Sequence, residues 1–133
     1  MAQVNQLGAI HLLDISVHNY GGSDLAEGVA VILDTSNPGT ATTMPGVTLP
    51  ASDAKAFGIL PAKIPAGKDG YCRVYGVAVG TATGTLHVGD YVMTDSAGGV
   101  KAQTAGLYTL GMALSEAVNG DRVQVLIDRA KNA

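Results

Sequence analysis

The residues that could perform acid–base or metal chemistry are few in this chain and are widely spaced. The three histidines, His11, His18 and His87, include no pair at helical metal-binding spacing, and none has a nearby Cys or Glu to complete a ligand set. The single cysteine, Cys72, lies in an apolar run, which indicates a small core residue rather than a nucleophile. These residues predict no metal and no cofactor.

The acidic residues and the glycines follow the pattern of turns rather than that of an active site. A carboxylate at a turn accepts hydrogen bonds from backbone NH groups, and the acids of the last third lie at or near predicted turns: Asp90, Asp95, Glu116 and Asp121. The Gly-x-x-x-Gly stretches of residues 76–84 precede no predicted helix, so they lack the positive helix end that holds a phosphate. We therefore predict that the protein is not an enzyme.

Composition excludes several classes of protein. With 133 residues, 47% hydrophobic and 14% charged, the chain is predicted to be one domain with a core of its own rather than a disordered segment. Its net charge of −3 gives no electrostatic reason to expect a nucleic-acid partner. The sequence has no basic, apolar leader and no run of about 18 apolar residues, so we expect neither a standard export signal nor a membrane span.

Short strands separated by glycine-rich turns are predicted to build the fold. Residues 122–127 (RVQVLI) alternate apolar and polar side chains, as a strand with one buried face does. Residues 86–94 and 100–102 flank a Ser-Ala-Gly-Gly turn at 96–99 and predict a hairpin. Because glycine supplies the backbone conformations of tight turns, the 18 glycines also favour an all-β fold, a small single-domain β-barrel or sandwich.

Further strands are predicted earlier in the chain, at residues 10–20, 29–33, 57–60 and 71–79. In the first, Leu13, Ile15 and Val17 share one face. In the last (YCRVYGVAV), the small apolar side chains are predicted to face the core, which leaves Arg73 outside between two tyrosines.

Two irregular segments are the predicted contact regions. Residues 1–9 form an N-terminal arm ahead of the β-domain of residues 10–133, and residues 34–50 form a long loop that is rich in Thr, Pro and Gly. Such uncharged side chains lose little hydration when a contact buries them. The candidate residues for contact with a partner or between subunits are Val4, Leu7 and Ile10 in the arm and Thr43, Met44, Pro45, Val47 and Leu49 in the loop.

The sequence contains a weak internal repeat. Gly58 and Gly67 correspond to Gly111 and Gly120 at one offset (111 − 58 = 53), and the LAEG of residues 25–28 corresponds to the LHVG of residues 86–89 at another (89 − 28 = 61). Unequal offsets fit two related β half-units with an insertion in the first, at the loop of residues 34–50. Chance similarity in a Gly- and Ala-rich sequence is the alternative interpretation.

The order of motifs in residues 56–127 is distinctive. The motifs are GVAV at 76–79, LHVGDYVM at 86–93, GGV at 98–100, LGMA at 110–113 and GDRVQVLI at 120–127. This order resembles the capsid decoration proteins of tailed bacteriophages, which are also called head-stabilising or capsid cement proteins. The resemblance implies a homotrimer on the outer surface of the virion, made in the host cytoplasm, whose partner is the major capsid protein and which has no catalytic residues.

Two other functions remain open at this point. One is a ligand-binding barrel with a pocket formed by Tyr71, Tyr75, Tyr91 and Tyr108, which a deep closed cavity would favour. The other is a barrel subunit of a bacterial enzyme complex, which turnover or a bound metal would favour.

Overall fold

The computed structural model describes residues 12–51, 54–104 and 107–128, and the predicted all-β fold is confirmed there. The described residues contain no α-helix. Their strands are β1 (Leu13–His18), β2 (Ala30–Leu33), β3 (Val47–Thr48), β4 (Gly58–Ile59), β5 (Asp69–Thr81), β6 (Tyr91–Thr94), β7 (Val100–Ala102), β8 (Gly111–Ala113) and β9 (Arg122–Ile127).

All of these strands join one antiparallel sheet that curls into a half-barrel, in the order β3-β2-β4-β5-β9-β8-β6-β7, with β1 also paired to β5. The long strand β5 belongs to both parts of the sheet. Its first part pairs with β1 and β4, and its second part, from Gly76 onward, pairs with β9. Gly76 has a φ of 96°, which glycine adopts without strain, so the strand changes partners at a residue suited to a bend.

The two halves of the molecule repeat the same pairing of strands, in agreement with the weak internal repeat of the sequence. Ala30 pairs with Ile59 as Tyr91 pairs with Met112, at offsets of 61 (91 − 30) and 53 (112 − 59). We call residues 13–75 the first half-unit and residues 76–128 the second. The pairing of β1 with β5 in the first corresponds to that of β5 with β9 in the second, with β1 at an offset of 63 (79 − 16) and β5 at an offset of 53 (124 − 71).

The difference between the two offsets lies in one hairpin. In the first half-unit the NH of Asp34 donates to the carbonyl of Gly46, and in the second that of Asp95 donates to Gly99. The first loop is therefore eight residues longer (46 − 34 = 12 against 99 − 95 = 4), which is the difference 61 − 53. The long loop predicted at residues 34–50 is thus shorter than expected, because its last part forms β3 and pairs with β2.

Each half-unit packs its own apolar cluster. The cluster of the first half-unit consists of Val17, Leu25, Val31, Val47, Leu60, Ile64, Cys72 and Val74. The cluster of the second consists of buried residues between Ala78 and Ile127, together with Ala30, Ala56 and Ile59 from the first half-unit. The first half-unit therefore covers the core of the second, because Ala30 of β2 and Ile59 of β4 pack in the cluster of the second half-unit, whereas their neighbours Val31 and Leu60 pack in that of the first.

The sequence predicts which face of β5 and which face of β1 is buried, and only one of these predictions is confirmed. The alternation of β5 is confirmed, since Cys72 and Val74 are buried and Arg73 lies on the outer face. In β1 the prediction that Leu13 shares a face with Val17 is wrong. An irregularity in the register between Leu13 and Asp14 leaves Leu13 exposed and Val17 buried.

Candidate interaction surfaces

The hairpin loop of the first half-unit is held by hydrogen bonds at both ends. Pro45 accepts a hydrogen bond from the NH of His18 at 3.0 Å, and the NH of Gly46 donates to the carbonyl of Asn37 at 2.9 Å. At the tip, the NH of Thr43 donates to the hydroxyl of Thr40 at 3.1 Å. The loop therefore presents its tip from an ordered base.

The predicted contact residues of this loop differ in their exposure. Thr43 and Leu49 are exposed, and Met44 and Pro45 are half-buried. Val47 is 1% exposed and packs in the core of the first half-unit, so its side chain does not reach a partner, contrary to its selection as a contact residue. It lies in β3, and its side chain packs in the same cluster as Val17 and Val31.

The contact residues predicted in the arm, Val4, Leu7 and Ile10, lie outside the described residues. They stay predictions.

An apolar groove near the start of the hairpin was not predicted from the sequence. It has a volume of about 370 Å³, and we call it the Leu33 groove; it is lined by Ile32, Leu33, Thr35, Ala54, Lys55, Ala56 and Phe57. Leu33 is 44% exposed, although it ends a run that reads as a fully buried strand. The pattern of apolar and polar residues does not predict this groove, because its walls come from two segments that are separate in the sequence.

A second apolar surface covers the outer side of the second half-unit. We call it the Tyr91 face, and it is formed by Tyr91, Met112 and Leu126. Tyr91 pairs with Met112, and Met112 pairs with Leu126, so these side chains are cross-strand neighbours. Tyr91 is 40% exposed and Leu126 37%.

A third surface, on the first half-unit, is a shallow groove of about 340 Å³ beside the hairpin loop. We call it the Met44 groove, and it is lined by Ser16, Met44, Asp69, Gly70 and Tyr71. Asp69 accepts a hydrogen bond from Nδ1 of His18 at 2.6 Å. Tyr71 therefore lines a different groove from Tyr91, so these two tyrosines do not share a ligand pocket.

The ionisable groups of the described residues form separate surface pairs. Arg73 donates two hydrogen bonds to Asp14, at 2.8 and 3.1 Å, and this pairing raises the pKa of the guanidinium. A hydrogen bond to Glu116 raises the pKa of His87 in the same way. Such pairs orient side chains on the surface.

Two further findings concern the described ranges alone. No group of three His, Cys, Asp or Glu side chains is placed to hold a metal ion. No helix there is long and apolar enough to cross a membrane.

Comparison with known proteins gives one family and one fold. The sequence profile of the phage cement proteins matches residues 12–128, which include both half-units. A search of curated proteins finds no match. Among solved structures, the N base of head fiber gp8.5 of bacteriophage phi29 is similar with a TM-score of 0.69 at 16% identity, over 92% of this chain and 99% of that one. At this identity the structural likeness shows a shared fold.

Proposed function

Because the chain belongs to the phage cement protein family, we propose that it binds the outer surface of a phage head as a homotrimer and stabilises the lattice of the major capsid protein. Membership of the family makes it a capsid-associated structural protein of a bacteriophage virion. The observation that carries the proposal is the match over residues 12–128, because this span includes every described surface on which a capsid contact would form.

The exposed apolar surfaces support a binding role. Monomeric proteins seldom leave contiguous apolar patches uncovered unless these patches bind a partner. The Leu33 groove is uncharged apart from Lys55, and the exposed loop residues Thr43 and Leu49 are uncharged too, so little hydration is lost when a capsid surface covers them. We assign this region to the capsid, and Val4, Leu7 and Ile10 of the arm remain proposed as a second contact.

Repetition of a modest contact is sufficient for this function. A cement protein that bridges neighbouring capsid subunits makes each contact at a high effective concentration once the first has formed. Binding to the assembled lattice, and not to dispersed subunits, then stabilises the lattice by mass action.

Binding to heads that lack the protein tests the proposal. Purified protein is incubated with such heads, sedimented with them, and the heads are then heated. We expect saturable binding at a fixed ratio to the major capsid protein and a higher temperature of head disruption. Heads that neither bind the protein nor gain stability would refute the capsid role.

The surface assignment has its own test. Leu33→Asp places a charge in the groove and is expected to weaken head binding about 10-fold or more. Val118→Asp is the matched control, because Val118 is also exposed but lies outside the groove. Deletion of residues 1–8 tests the arm in the same assay, and undiminished occupancy would remove the arm from the proposal.

A further inference from the structure

The turn that leads into β9 contains the only Asn-Gly sequence of the chain, Asn119-Gly120. Asparagine is most reactive before glycine, because no Cβ shields the next backbone nitrogen. That nitrogen attacks the side-chain carbonyl carbon of the asparagine, and a five-membered succinimide ring forms. The carbon–nitrogen bond of the side-chain amide breaks, and ammonia leaves with the proton of the backbone NH. Water then opens the ring to aspartate, or to isoaspartate, whose main chain runs through the former side chain.

Both reacting groups are held by hydrogen bonds to the segment that follows β5. The NH of Gly120 donates to the carbonyl of Ala82 at 2.8 Å. Oδ1 of Asn119 accepts a hydrogen bond from the NH of Gly84 at 2.9 Å. The nitrogen must give up its hydrogen bond to attack, and ring closure moves the side-chain carbonyl that Gly84 holds. The folded turn therefore opposes the reaction at both groups.

The turn is closed by further hydrogen bonds. The NH of Asp121 donates to the carbonyl of Val118 at 3.0 Å, and the carboxylate of Asp121 accepts from the NH of Val118 at 3.1 Å. The NH of Ala82 donates to the carbonyl of Asp121 at 2.8 Å. Asn119 itself is exposed to solvent. Its protection therefore rests on hydrogen bonds and not on burial.

The first half-unit makes the same turn hydrogen bond with a different asparagine. There the NH of Gly21, the counterpart of Gly84 (84 − 21 = 63), donates to Oδ1 of Asn19 at 2.9 Å. The counterpart of Asn19 is Ala82 (82 − 19 = 63), so the acceptor in the second half-unit comes from Asn119 instead. The hydrogen bond is kept in both half-units, and the residue that accepts it has changed.

This change places an asparagine in a reactive sequence. Asn19 is 2% exposed and precedes a tyrosine, whereas Asn119 is exposed and precedes a glycine. The counterpart of Asn119 is Ala66 (119 − 66 = 53). The next residue, Gly67, still has a φ of 73° and donates its NH to the carbonyl of Asn19 at 2.8 Å. The turn therefore forms without an asparagine at this position, which leaves the bond to Gly84 as the contribution of Asn119.

We propose that Asn119 is a deamidation site that the native turn keeps unreactive, and that it reacts when residues 82–84 separate from the turn. Local openings of this kind occur without global unfolding where hydrogen bonds are exposed to solvent. The product changes the net charge from −3 to −4 (−3 − 1) and adds a carboxylate two residues from Asp121. Isoaspartate also lengthens the main chain, so the bonds to Ala82 and Gly84 no longer fit together. The reaction requires no partner and is independent of the capsid role.

Peptide mapping after prolonged incubation at mildly alkaline pH measures the reaction. Trypsin cleaves after Lys101 and Arg122, so Asn119 is recovered in the peptide of residues 102–122. We expect native protein to deamidate about 10-fold or more slowly than the same protein unfolded in urea. Asn119→Ala is the control, since Ala66 occupies the equivalent turn, and its peptide should not change. Equal rates in the native and unfolded protein would overturn the proposal.

Two matched variants separate local opening from global unfolding. Asp121→Ala removes the carboxylate that accepts from Val118 and should speed native deamidation about 3-fold or more. Asp24→Ala removes the carboxylate that accepts from the NH of Ala66 at 3.0 Å, in the equivalent turn, and should leave the rate unchanged. Each native rate is divided by the rate of the same variant in urea, which removes the effect of sequence. If both variants speed the reaction equally, it follows global unfolding and the local opening is refuted.

Amide hydrogen exchange tests the hydrogen bonds without waiting for the reaction. We expect slow exchange at Gly84 and Gly120 in the wild type. Asn119→Ala should speed exchange at Gly84 about 10-fold or more and leave Gly67 unchanged, because only the first of these loses its acceptor. A Gly84 amide that exchanges in the wild type as fast as in Asn119→Ala would show that the side chain is not held, and the protection would be refuted.

Discussion

The two half-units share a pairing register and differ on their outer surfaces. Both place glycines with positive φ at corresponding turns, Gly28 with Gly89 and Gly67 with Gly120. In contrast, the first half-unit carries the longer hairpin loop and the Asp14–Arg73 ion pair, and the second carries the Tyr91 face. The backbone requirements of the strands and turns are thus kept in both copies, whereas the outward positions are free to form different contacts.

The core shows how the two half-units compensate for changes in side-chain size. Ile64 lies against Gly70 in the first half-unit, where a Cβ on the glycine would meet Cγ1 of the isoleucine at 2.5 Å. The counterparts are Ala117 and Val123 (117 − 64 = 53), both buried, so the larger side chain has moved to the other partner. Because interiors are close-packed, each copy keeps the total volume of the pair roughly constant.

The largest expected effect tests whether both half-units require a glycine where two strands approach closely. Gly58→Ala and Gly111→Ala each place a Cβ on a carbonyl of the neighbouring strand, at Arg73 and Leu126 respectively. We expect each to lower the free energy of unfolding by about 3 kcal/mol, because a backbone atom must move. Denaturant titration measures the change, with Gly22→Ala as a control in open space. A variant that is as stable as this control would break the equivalence.

A smaller effect is expected from exchanging the core pair. Gly70→Val should destabilise the protein by about 2 kcal/mol, because its methyl groups overlap Ile64. Adding Ile64→Ala converts the pair to the Ala and Val of the second half-unit and should recover part of the loss. Denaturant titration of both single variants and the double variant gives the coupling, which we expect to exceed about 1 kcal/mol. Additive losses would mean that the pair does not compensate as proposed.

The smallest expected effect is electrostatic. It is a pH-dependent contribution to stability that only the second half-unit makes. His87 and Glu116 pair at 2.9 Å in the second half-unit, where Ala26 and Lys63 stand in the first. The hydrogen bond to Glu116 raises the pKa of His87 above 6.5, so its stabilisation is complete below the unfolded pKa and is lost as pH rises through the folded one. The hydrogen bond from His87 lowers the pKa of Glu116 below 4.5, so that contribution is lost as pH falls through the lowered value.

NMR titration of the His87 ring measures this pair directly. We expect a midpoint above 6.5 that returns towards this value in Glu116→Gln. Glu27→Gln is the matched control, because Glu27 pairs with Arg122 instead. An unchanged midpoint in Glu116→Gln would show that another group perturbs His87.

Much of the strand pattern could be predicted because it depends on neighbours in sequence. The alternation of β9, the hairpin of β6 and β7, and the inner and outer faces of β5 agree with the sequence. Strand β3 was missed because two residues in a Thr- and Pro-rich segment carry no periodic signal. The exposure of Leu13 was missed because a register irregularity reverses a face without changing the composition.

The sequence by itself determined the all-β class and the turns, because side-chain period and turn residues are local properties. The tertiary structure decided which apolar residues are covered. Ala30 and Tyr91 occupy the same position in the repeat, yet only Ala30 has a half-unit packed upon it. Burial depends on which distant segment lies above a residue, and the pattern along a single strand does not contain that information.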